Sequence, residues 1–68
     1  MTKEEFGQML TVMRERAGLS VYGLAKLAKL DRSFVSRVEA GDQAPTFPRA
    51  CQLIEALGFQ VEIVPAEK

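Results

Sequence analysis

Apolar positions recur at helical spacing in four separate runs of the chain, and each run is bracketed by residues that start and stop helices. Phe6, Met9, Leu10, Met13 and Ala17 fall on one face of a 3.6-residue repeat. Thr2 and Glu5 ahead of them form a capping box, and Gly18 behind them can take the left-handed conformation that ends a helix. The pattern predicts a first helix over Lys3 to Ala17. Ser20 then caps a second helix of about two turns, Val21 to Ala28, with Leu24, Ala25 and Ala28 on its inner side. Gly23 inside it costs up to ~1 kcal/mol relative to alanine and is expected to be held by packing. Asp31 is expected to cap a third helix, Arg32 to Ala40, ended by Gly41. Thr46 is expected to cap a fourth, with Pro48 tolerated in its first turn. Ala50, Leu53, Ile54 and Leu57 form its inner stripe, and Gly58 ends it.

The tail changes period. Phe59, Val61 and Ile63 alternate with Gln60 and Glu62, the repeat of a strand, and Pro65 stops it. A lone strand has no mate within the chain, so its backbone donors and acceptors need one from outside. The alternative is an extended tail folded back on its own domain. The expected architecture is therefore all-α, a compact four-helix domain over residues 1–58. Residues 59–68 add a short C-terminal β-strand, paired across a dimer through Phe59, Val61 and Ile63.

Size and composition narrow the chemistry. At 68 residues the chain makes one domain. A core below ~70–80 residues usually leans on a disulfide, a metal or an oligomeric partner. One cysteine, Cys51, and no histidine exclude an internal disulfide, an ordinary zinc site and the common histidine-assisted nucleophiles. Glu4, Glu5, Glu55, Glu62 and Glu67 are scattered and suggest no catalytic carboxylate pair. The expectation is a protein that is not an enzyme, with no cofactor and no metal. The N-terminus lacks the pattern of a signal peptide, and no stretch is apolar enough for a membrane helix, so a cytoplasmic setting is expected. Cys51 reads as a buried small hydrophobe, Met9 and Met13 as core fillers, and Phe47 as packing at the start of helix four.

Two short helices joined by Lys29-Leu30-Asp31 have the layout of a helix-turn-helix. Small Ala25 lets the helices approach, Leu30 plugs the turn, and Val35 and Val38 face inward. Arg32, Ser33, Ser36 and Arg37 remain on one polar outer face, where a recognition helix meets base edges. Arginine can pair bidentately with guanine, and serine can bond to several bases. By pattern alone, the same face reads equally well as a solvated surface. Charge placement separates the two. The chain carries nine basic and nine acidic residues. Between Arg14 and Arg37 stand six basic residues and two acidic, a net of +4; the rest of the chain holds three and seven, a net of −4. The basic half is centred on the two-helix unit, as phosphate binding requires.

The runs VMRERAGLS, LAKLAKLDRSFVSRVEAG and PTF followed by LIEALG resemble the Cro/cI-type (xenobiotic-response-element) family of lambda-repressor-like helix-turn-helix domains, over about residues 9 to 58. The resemblance implies a domain that binds operator DNA as a homodimer and regulates transcription, most often as a repressor. It assigns Arg32, Ser33, Ser36 and Arg37 to base reading in the major groove. Ser20 and Val21 match the start of the second helix, whose N-terminus usually holds a phosphate, and Tyr22 and Lys26 are expected to contact phosphates as well. Arg14 and Glu39 match a pair that ties the first helix to the third.

The chain departs from the family at three places: Val21 where glutamine is frequent, Lys29 where the turn usually has glycine, and the pair Asp42-Gln43 where a basic residue is common. Lys29 must either accept a left-handed backbone or shift the turn. With phosphate contacts removed, one protomer is expected to bind weakly and with strong salt dependence. The ending ALGFQVEIVP resembles antitoxin repressors of the HipB type, which implies a cognate toxin protein as a second partner, with Leu27 and Tyr22 as candidate contacts. The competing expectation is a protein-interaction adaptor on the same scaffold with little DNA binding, supported by Val21, Asp42 and the neutral total charge.

Overall fold

The computed structural model describes residues 1–67 and contains four helices: α1 (Lys3–Arg16), α2 (Val21–Ala28), α3 (Arg32–Glu39) and α4 (Phe47–Ala56). Lys68, the end of the expected tail, lies outside the described residues. α1 begins on the capping box: Glu5 N–H donates to Thr2 Oγ1 at 3.1 Å, and Thr2 N–H donates to Glu5 Oε1 at 2.8 Å. The second of these bonds holds the Glu5 carboxyl below its ordinary value. Ser20 and Thr46 accept from the N–H groups of Gly23 and Arg49 and so cap α2 and α4.

All four helices end by one device. The residue after the last turn goes left-handed, and two N–H groups fold back onto orphan carbonyls, the arrangement of a Schellman motif. After α3, Gly41 N–H bonds to the Val38 carbonyl and Asp42 N–H to the Arg37 carbonyl. Gly18 and Gly58 play the part of Gly41 after α1 and α4. After α2 the left-handed residue is Lys29, at φ 59°, ψ 41°. Of the two options open to it, Lys29 takes the left-handed backbone, at a cost on the order of 1 kcal/mol for a residue with a Cβ.

α3 packs between α1 and α2, and α4 packs on α2. The core is Leu10, Leu24, Ala25, Ala28, Phe34, Val35, Val38 and Leu53, all buried. Phe6, Val21, Leu30, Ala56 and Leu57 close its edges. α1 approaches α3 so closely that a Cβ on Gly7 would stand 2.4 Å from the Val38 carbonyl oxygen and 2.8 Å from that of Glu39. Gln52 Nε2 reaches 3.2 Å to the Ala28 carbonyl, satisfying one of the acceptors at the end of α2.

Several expectations are corrected. No β-strand is present among the described residues; the segment from Phe59 onward is extended coil. A strand exists only through a ladder, and a single copy offers this segment no edge to pair with. In the single chain Phe59 and Ile63 are 57% and 85% exposed, and Val61 is half-buried. Asp31 makes no side-chain cap bond to α3, because its carboxylate is taken up by the Ser33 hydroxyl. Phe47, expected to pack at the start of α4, lies largely in solvent, while Phe34 is the aromatic buried in the core. Cys51, Met9 and Met13 are half-buried at the core margin. The expected ends of α1 and α3, Ala17 and Ala40, are the cap residues just past the last helical turn.

Candidate nucleic-acid interface

α3 has two faces of opposite character. Phe34, Val35 and Val38 turn into the core. Arg32, Ser33, Ser36 and Arg37 are exposed and span an arc of roughly 140° at ~100° per residue. The buried side anchors the helix, so the outer side is presented on a rigid support. α2 packs against α3, with Tyr22 and Lys26 exposed and Val21 half-buried against the core. Between the two helices lies an open cleft of about 470 Å³ lined by Tyr22, Ala25, Lys26, Leu30, Asp31 and Arg32. Of the sequence-assigned residues, Arg32 from the base set and Tyr22 and Lys26 from the phosphate set line this cleft together. Ser20 sits at the start of α2 with its hydroxyl oxygen occupied by the Gly23 N–H at 2.9 Å.

Two of the four outward residues of α3 are held from outside the helix. Arg37 Nε donates to Gln43 Oε1 at 2.9 Å. Ser33 Oγ donates to the Asp31 carboxylate. That hydroxyl keeps the Asp31 carboxyl below the ordinary carboxylate range, with help from the charge of Arg37.

Arg14 and Glu39 lock the support of this surface. Arg14 Nε and Nη2 bond to Glu39 Oε2 and Oε1 at 2.7 and 3.0 Å, a bidentate fork. Arg14 Nη1 also donates to the Leu19 carbonyl at 2.8 Å, and Thr11 Oγ1 to Glu39 Oε1 at 3.0 Å. Side-chain exposure is 13% for Arg14 and 8% for Glu39, so solvent screens the pair little. Glu39 raises the pKa of Arg14. One guanidinium therefore ties α1, the entry to α2 and the end of α3 into one frame.

Phe34, Gly7 and Gln52 were not singled out from sequence, and Gln43 was noted only as a place where a basic residue is missing. Phe34 had a readable signal, since it stands one and four residues before Val35 and Val38. Gly7 is a breaker inside a helix, and its reason lies 31 residues away, in the α3 backbone. Gln43 and Gln52 act through contacts that no local pattern encodes. Among the described residues no group of His, Cys, Asp and Glu could hold a metal, and no helix is long and apolar enough to cross a membrane.

A short helix anchored on its apolar side and presented across a second helix by a tight turn defines the helix-turn-helix class of DNA-binding domains. Over residues 5–66 the chain matches the helix-turn-helix domain family, and it belongs to that family. A comparison with curated proteins finds no match.

Proposed function

We propose that this chain is a sequence-specific DNA-binding transcriptional regulator, a repressor that acts in the cytoplasm as a homodimer and places α3 in the major groove of its operator. The observation that carries this reading is the outer face of α3: Arg32, Ser33, Ser36 and Arg37 exposed together on a helix whose other side is buried. Arg32 and Arg37 supply forks for guanine, and Ser33 and Ser36 short hydrogen-bonding groups for neighbouring bases. Ser20, Val21, Tyr22 and Lys26 flank the phosphates from α2, the lysine by charge and the first turn by its free N–H groups. Arg14 and Glu39 hold the frame and do not touch DNA.

Dimerisation is assigned to Phe59, Val61 and Ile63, which leave an apolar extended segment exposed beside the domain. Pairing with a two-fold copy would bury that surface and satisfy its backbone groups. The antitoxin role, with a cognate toxin as second partner, rests on the tail resemblance and on Leu27, exposed on α2.

The test is a titration against duplex DNA from the chain's own promoter region at two salt concentrations. Specific binding with a steep salt dependence is expected. Arg32→Ala combined with Arg37→Ala abolishes the preference for that duplex over random DNA. Binding of the unaltered protein no tighter than to random DNA overturns the proposal and favours the adaptor on the same scaffold.

A further inference from the structure

We infer that Gln43, in the loop after α3, is a specificity-determining positioning residue that aims Arg37 at a guanine. The inference rests on the DNA-binding reading above and assigns it a residue outside the recognition helix. Gly41 ends α3 in the left-handed conformation, at φ 80°. The two N–H groups that fold back onto Val38 and Arg37 turn the chain sharply, so residues 42 and 43 run back beside the last turn of α3. Gln43 comes to rest half-buried, with its Oε1 2.9 Å from Arg37 Nε.

The consequence follows from guanidinium geometry. An exposed arginine samples many rotamers and presents five N–H donors in a planar fork. Capturing Nε fixes the plane of that fork and spends the one donor that lies along the side of the group. The two terminal nitrogens are left pointing outward, the pair that matches O6 and N7 of guanine in the major groove. Gln43 accepts through a neutral amide, so it orients the cation without cancelling its charge. Asp42, one position earlier, lies closer in sequence, but its N–H is spent on the Arg37 carbonyl, and no side-chain bond joins it to Arg37 among the described residues. The loop thus lacks a basic residue and still contributes to recognition, through orientation.

The experiment selects duplexes from a pool with a randomised centre, using the full chain and its Gln43→Ala, Gln43→Glu and Arg37→Ala variants. Base preferences are read position by position, and folding is checked by thermal melting. Arg37→Ala identifies the guanine position by losing it. Gln43→Ala is expected to relax preference at that position about threefold to tenfold, the worth of one orienting hydrogen bond, and to leave the other positions and low-salt pool binding unchanged. Gln43→Glu keeps the acceptor, so it retains the guanine preference even as its charge weakens overall affinity. A Gln43→Ala profile identical to the parent overturns the inference and leaves the DNA-binding reading intact. A uniform loss at all positions also overturns it, because Gln43 then acts on phosphate contacts or the fold. A parent protein that enriches no sequence removes the DNA-binding reading, and this inference with it.

Discussion

Gly7→Ala sets helix propensity directly against tertiary packing, and the structure decides the sign. Alanine inside a helix is worth about 1 kcal/mol over glycine, so local reasoning predicts a more stable protein. At Gly7, however, the new Cβ would stand 2.4 Å from the Val38 carbonyl oxygen and 2.8 Å from that of Glu39. Both obstacles are backbone, so no side chain can rotate away, and α1 must move off α3. That motion also strains the bonds from Arg14 and Thr11 to Glu39, which cross the same interface at 2.7 to 3.0 Å. Overpacking of this kind costs about 1–3 kcal/mol even where the obstacle is a side chain; here the upper end applies, leaving a net loss of about 2 kcal/mol after the propensity gain.

Gly23→Ala in α2 is the matched control. Its Cβ would meet the Ser20 Oγ at 3.3 Å, the Leu19 Cδ2 at 3.5 Å and the Leu19 Cβ at 3.9 Å, all side-chain atoms. That variant is expected within about 0.5 kcal/mol of the parent, the gain in propensity offset by crowding of the cap. Urea denaturation followed by circular dichroism measures both. With a slope of about 1 kcal/mol/M for a protein this small, Gly7→Ala lowers the midpoint by about 2 M, while Gly23→Ala barely moves it. A Gly7→Ala protein as stable as the parent, or more so, refutes the close approach of α1 to α3.

Three further outcomes follow from other parts of the fold. Lys29→Gly relieves the left-handed backbone at the turn and gives back part of the gain as chain entropy; it should raise Tm by about 2–4 °C, whereas Lys29→Ala, equally strained, gives no rise. The Glu5 carboxyl titrates below its unfolded value of 4.5, so its contribution is complete above that value and is lost as the pH falls through the folded pKa; Glu5→Gln should flatten this part of the acid limb in urea midpoints measured below pH 5, and an unchanged slope would count against the capping box. Truncation after Gly58 removes the exposed Phe59, Ile63 and Val64; on the proposed homodimer, analytical ultracentrifugation is expected to find a dimer for the full chain and a monomer for the truncated one. A truncated protein that still sediments as a dimer refutes the tail as the interface.

Much of this fold was legible because its signals are local. A capping threonine with its glutamate, a serine at the head of α2, and glycines after α1, α3 and α4 act within one turn of the residues they govern, so a linear reading places the helices to within a residue. The outer face of α3 was legible for the same reason: with Val35 and Val38 turned inward, helical geometry leaves Arg32, Ser33, Ser36 and Arg37 outside. Reading failed where a local pattern needs a distant partner to acquire meaning. The alternation of Phe59, Val61 and Ile63 has strand periodicity, yet a ladder requires a second edge, and the folded chain supplies none. Asp31 has the chemistry of a helix cap, but Ser33 competes for its carboxylate at shorter range. Only the packed structure shows why Gly7 is glycine, what holds Gln52 to the end of α2, and that Gln43 grips Arg37. Periodicity and capping depend on neighbours a few residues away, which the order of amino acids states outright. Close approach and cross-element hydrogen bonds depend on how helices settle against one another, which is decided when the whole core is buried at once.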